Sequence, residues 1–103
     1  MEYQLVLQMR GHSLINFDEL ISLEDELNLA LSDMAGVDGH DMGRDEANIF
    51  IITSNPLVAF SRAKPILERR NLLPTINAAF RSLTDETYSN IWPEDSKVEF
   101  SVA

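Results

Sequence analysis

Val37-Asp-Gly-His-Asp-Met-Gly-Arg-Asp-Glu-Ala47, followed by Asn48-Ile-Phe-Ile-Ile-Thr-Ser-Asn-Pro56, is the stretch whose reading decides the fold. Ile49, Phe50, Ile51 and Ile52 are four consecutive β-branched or aromatic apolar residues. A strand alternates its side chains between two faces, so both faces of this one must be covered. That predicts a central strand. The preceding run, Val37 to Met42, alternates poorly and carries Asp38, His40 and Asp41, which suits an edge strand that uses charge to discourage pairing with another molecule. Gly43, Arg44 and Asp45 between the two runs predict a hairpin connection. Beyond the apolar run, Asn55 can accept from backbone donors as a helix cap, and Pro56 loses nothing at a first helical position, where the N–H is unused.

Outward towards the N-terminus, residues 3–9 alternate, with Tyr3, Leu5, Leu7 and Met9 on one face and Gln4, Val6 and Gln8 on the other. This pattern predicts a half-covered strand. Asn16 with Glu19 three places on resembles a capping box and opens a helix over about 17–32. Phe17, Leu20, Ile21, Leu27 and Leu31 form its apolar stripe, and Glu24 falls inside that stripe, where a carboxylate needs a partner or an exit to water. Outward towards the C-terminus, a second helix begins at Pro56 and aligns Ala59, Phe60, Ala63, Ile66 and Leu67. Pro65 lacks a donor for Ser61 and is expected to kink or break it. Asn71 and Pro74 mark its stop. Three later segments, 76–83, 88–92 and 98–102, each offer a strand or tail to complete the sheet.

Strand, helix, strand, strand, helix, strand is the order of a ferredoxin-like split βαβ arrangement, an α+β fold whose antiparallel sheet carries both helices on one face. A single domain over 1–103 is expected, with an extra C-terminal strand or tail. The other face of such a sheet is open. One alternating pair of the tetrad, either Ile49 with Ile51 or Phe50 with Ile52, therefore needs cover from the chain's own last twenty residues or from a second copy.

The formal charge is −9, and its distribution is lopsided. Residues 1–46 hold eleven acids against Arg10 and Arg44, while acids and bases balance in the rest. Such a field repels phosphates, which excludes ordinary nucleic-acid binding and favours a protein partner of neutral to basic charge. There is no cysteine, no basic leader followed by an apolar run, and no membrane-length apolar stretch. A cytoplasmic protein that contacts no membrane is the expectation.

The same topology draws the loop after the first strand and the turn between the second and third strands to one rim. His12, His40, Asp41, Asp45 and Glu46 would then gather there as candidate metal ligands or an acid–base pair. None of their spacings matches a ligand motif, the serines lack a nucleophile context, and nothing calls for a cofactor.

Asp38-Gly39-His40-Asp41-x-Gly43, then Asn48-Ile49-Phe50-Ile51-x-Thr53-x-Asn55-Pro56, then Ala63-Lys64-Pro65-Ile66-Leu67, resembles small bacterial single-domain proteins of unassigned function. That resemblance covers about 37–67. It implies a ferredoxin-like domain in which the helix proline is tolerated, and it implies no activity. Three functions are consistent with these residues: an interaction module that homodimerises or docks a protein, a metal-dependent or small-ligand enzyme at the histidine rim, and an immunity-type inhibitor of a basic toxin.

Overall fold

A computed structural model describes residues 2–11 and 14–102. The elements run β1 (Tyr3–Arg10), α1 (Phe17–Leu31), β2 (Ala35–Met42), β3 (Glu46–Thr53), α2 (Pro56–Arg69), β4 (Asn77–Ser82) and β5 (Ser89–Trp92). The five strands form one antiparallel sheet in the order β2-β3-β1-β4-β5, so the fold is α+β. The tetrad lies in β3, an interior strand, and β2 is an edge.

Register assigns each residue to a face. Leu5 and Leu7 on β1, Ile49 and Ile51 on β3, and Ala78 on β4 are paired across the sheet and join the core beneath the helices. From α1 that core receives Leu20, Leu23, Leu27 and Leu31, and from α2 Ala59, Phe60, Ala63, Ile66 and Leu67. The stripe of α1 is thus rotated from its expected position. Leu23 is buried, Ile21 is half-buried, and Phe17 is 54% exposed. The α2 stripe agrees residue by residue.

Both helix starts follow from their caps. Asn16 Oδ1 accepts from the Glu19 N–H at 2.8 Å, and Asn55 Oδ1 accepts from the Val58 N–H at 3.2 Å. Pro65 does not break α2, which continues to Arg69. Pro65 and Ser61 are both exposed, so water can take the carbonyl that the missing N–H leaves unbonded. The helix ends one turn later. Asn71 adopts a φ of 61°, its N–H bonds Glu68 O at 3.0 Å, and the Leu72 N–H bonds Leu67 O at 2.8 Å. This is a Schellman stop, with an asparagine where glycine is commoner.

Of the three C-terminal segments, 76–83 and 88–92 supply β4 and β5, and 98–102 is an irregular tail. One expectation is corrected: β1 is not half-covered, because Leu5 through Met9 are all buried, Val6 and Gln8 included. The cover comes from that tail, whose Ser101 carbonyl accepts from Gln8 Nε2 at 2.9 Å. No helix among the described residues is long and apolar enough to cross a membrane.

Candidate functional site

The rim expected to gather the histidines does exist as backbone. The Gly11 N–H reaches Asp45 O at 3.4 Å, so the end of β1 meets the β2–β3 turn. Of the described side chains, His40 parts from the carboxylates. His12 lies outside the described residues. His40 pairs in register with Ile49 and so belongs to the helix face, whereas Asp41 pairs with Asn48 on the opposite face. Asp45 is exposed in the turn, and Glu46 lies on the face of Asp41, bonded to Arg10 at 2.7 Å. Among the described residues, no three histidine, aspartate or glutamate side chains are placed to hold a metal ion.

What His40 meets instead is Glu24. Its Nδ1 lies 2.8 Å from Glu24 Oε1, and its ring stands edge-on to Phe17, with ring centroids 5.8 Å apart. The carboxylate inside the apolar stripe of α1 therefore has its partner, supplied by the strand that α1 packs beside. An irregularity in the β2–β3 register between Val37 and His40 sets up this meeting. Gly39 sits there at a φ of 111°, a backbone region that side chains with a Cβ rarely adopt. Without that extra residue, the residues beyond it would fall on the other face.

The face away from the helices is the richer one. Across its middle row run Phe50, Val6, Ala79 and Asn90, and beside them Ile52, Gln4 and Arg81. Val6 and Ala79 are fully buried, yet Phe50 and Ile52 are only half-buried. The tail accounts for the difference. It crosses the β1–β4 half, where Ser101 meets Gln8 and Phe100 packs on Tyr88 with ring centroids 4.9 Å apart. The β3–β2 half carries the remaining apolar pair. Of the tetrad, then, Ile49 and Ile51 are core, and Phe50 with Ile52 is the pair on the open face.

A chain of polar side chains runs along the same face. Arg10 donates to Glu46 Oε1, Asn48 Nδ2 donates to Glu46 Oε2 at 2.8 Å, and Gln8 Nε2 donates to Asn48 Oδ1 at 3.0 Å. Gln8 and Asn48 are 2% and 1% exposed, so these bonds are what make burying two amides tolerable. Neither residue stands out in the sequence. Gln8 reads there as the polar side of a half-covered strand, and only the register and the tail reveal the relay.

The acidic first half is also sorted by the fold. Glu26 pairs with Arg69 and Arg70, and Asp33 pairs with Arg62, so arginines of α2 neutralise acids of α1 and of the segment after it. The Arg62 guanidinium holds the Asp33 carboxyl below the usual carboxylate range. Asp38, Asp41 and Asp45 on the β2–β3 hairpin are exposed and form no ion pair. Part of the unneutralised charge, Asp38 and Asp41, thus lies along the sheet edge on the strand next to Phe50 and Ile52, while Glu2, Asp18, Glu19 and Asp25 form no ion pair elsewhere in this half. Neither a scan against protein-family models, nor a search of curated proteins, nor a search of solved structures finds a match to this chain.

Proposed function

We propose that the chain is a non-enzymatic interaction module of ferredoxin-like architecture that docks a basic protein against the β2–β3 half of its open face. Read from the β4 side, the strand order β4-β1-β3-β2 with β5 added outside supports the ferredoxin-like reading, as does the element order. The likeness of residues 37–67 to small bacterial single-domain proteins belongs with it.

The observation that carries the docking reading is the juxtaposition of Phe50 and Ile52, half-buried, with Asp38 and Asp41, exposed and unpaired, on the neighbouring edge strand. An apolar pair with unpaired carboxylates along its outer edge suits a partner whose own apolar patch has lysine or arginine on the matching side. An immunity-type inhibitor of a basic toxin is one member of that class. Self-association is the less favoured occupant, because two copies would bring identical acidic edges together at a formal −9 each.

The test is capture from lysate with three baits: wild type, the charge-reversed Asp38→Lys/Asp41→Lys pair, and Ile52→Asp. One basic protein retained by wild type, lost from both variants and released as salt rises supports the reading. Retention that ignores the variants, or none at low salt, removes it. Sedimentation of the purified chain separates the self-association case, which requires a dimer that dissociates in Ile52→Asp.

A further inference from the structure

Between the tail and the open face lies a cavity of about 200 Å³, walled by Gln8, Arg10, Asn77, Asn90, Ser96 and the tail residues 98–101. We propose that it is a binding site for a small organic ammonium ion. The case begins with which atoms are already used. A carboxylate can only accept, so Glu46 fixes the Asn48 amide with Nδ2 towards it and Oδ1 towards Gln8. That oxygen, together with the Ser101 carbonyl, then fixes Gln8 with Nε2 towards both. Gln8 Oε1 is left over. It accepts no hydrogen bond although its residue is 2% exposed.

A second amide is fixed in the same way. Asn90 Nδ2 donates to the Val98 carbonyl at 2.8 Å and to the Ser96 carbonyl at 3.4 Å, which leaves its Oδ1 unused. Asn77, opposite Gln8 in register, makes no side-chain hydrogen bond, so its amide is unfixed and can turn its oxygen into the cavity as a third acceptor. The exposed carboxylate of Glu99 lines the same cavity and forms no ion pair. No fully buried side-chain nitrogen or oxygen among the described residues lacks a partner, so Gln8 Oε1 keeps a small water-accessible surface.

The charge balance selects the ligand. Arg10 is the one cation in the lining, and it is bonded to Glu46 through both Nε and Nη2 at 2.7 Å, which neutralises it locally. What remains is three amide oxygens and one carboxylate, together with the Asn77 amide N–H groups and the hydroxyls of Ser96 and Ser101, which can turn to accept. A desolvated ammonium needs such acceptors, and the net charge of −9 raises the local concentration of cations. At roughly 30 Å³ per water, the cavity holds the volume of about six or seven waters, enough for a diamine of a few carbons and too little for a drug-sized ligand.

The probe is putrescine, titrated to about 10 mM into the ¹⁵N-labelled full chain at constant ionic strength, a range suited to a millimolar dissociation constant. The side-chain amide signals of Gln8, Asn77 and Asn90 are followed. Saturable shifts of these three signals are expected, and Asn77→Ala should raise the midpoint about tenfold, the loss of one hydrogen bond to a charged group. Glu99→Gln, an exposed change that leaves the core untouched, should weaken binding in the same direction and decides the matter if Asn77→Ala fails to fold. Asp38→Asn/Asp41→Asn should leave the midpoint unchanged. The assignment is overturned by an absence of saturable shifts, by shifts indifferent to Glu99→Gln, or by 1,4-butanediol binding with the same midpoint as putrescine.

Discussion

The two faces of the sheet are made from the same strands and solve burial in opposite ways. Beneath the helices, Leu5, Leu7, Ile49, Ile51 and Ala78 join one core with apolar side chains from both helices, and Glu24, a charge in the α1 stripe, is matched by His40. On the other face, Val6 and Ala79 are buried, an irregular tail bonds to Gln8 and Asn90 beside them, Gln8 and Asn48 are buried through a relay ending at Arg10, and Phe50 and Ile52 stay half in water. A helix layer covers a sheet completely because each helix brings its own satisfied backbone. A tail without internal hydrogen bonds borrows partners from the sheet, and so covers only where amides wait for it.

The largest effect that separates the faces comes from adjacent isoleucines of β3. Ile51→Ala should cost about 2 to 5 kcal/mol in urea unfolding, as expected for a core truncation that leaves a cavity. Ile52→Ala, half-buried, should cost about 1 kcal/mol. Equal losses would mean that the open face is as fully packed as the core and would remove the basis for docking there.

Next in size is the relay. Asn48→Leu keeps a similar volume but deprives Gln8 Nε2 of one acceptor and Glu46 of one donor, and should cost about 1 to 3 kcal/mol. The same change should accelerate hydrogen exchange in the tail, because Gln8 loses the contact that orients it towards Ser101. Unchanged exchange there would mean that the tail is held by Tyr88 and Phe100 without help from the relay.

These contrasts also explain how much of the molecule was legible in the sequence. The tetrad announced an interior strand, and the caps at Asn16 and Asn55 announced both helix starts, because each is a local pattern with a local cause. The α1 stripe was legible only to within a rotation. Phe17 is apolar, yet it sits at the edge against His40, and periodicity cannot distinguish a first-turn residue that packs sideways from one that points inward. Gln8 was misread because alternation reports polarity, whereas its burial depends on Ser101, ninety-three residues away. The rim was legible as backbone only, with His12 outside the described residues. Topology brings loops together, but the bulge at Gly39 decides which face each side chain takes, and no sequence period encodes a one-residue insertion.

Smaller again is the link across the helix face. Removing the Glu24 carboxylate with Glu24→Ala should cost about 1 kcal/mol, since it strands a half-buried imidazole nitrogen. The Glu24→Leu/His40→Phe pair should recover most of that loss, as replacing both partners of a buried polar contact by apolar groups often does. Non-recovery would mean that the pair orders β2 beyond its hydrogen bond, for instance by holding the bulge at Gly39.

The smallest effect lies in the charge sorting between the helix layer and the acidic edge. Asp33 has its carboxyl depressed by the Arg62 guanidinium, whereas Asp38 and Asp41 have no such neighbour. A folded-state value below the unfolded one means that the contribution of Asp33 to stability is present above the ordinary aspartate range, near pH 3.9, and is lost as pH falls through the folded value. Wild type and Asp33→Asn should therefore differ slightly in urea midpoint near neutral pH and converge on acidification. Because the pair is exposed, added salt should narrow the gap at neutral pH as well. If the Asp33→Asn gap instead widened as pH fell, Arg62 would not be neutralising Asp33, and the contrast between that paired acid of the helix layer and the unpaired Asp38 and Asp41 of the edge would be lost.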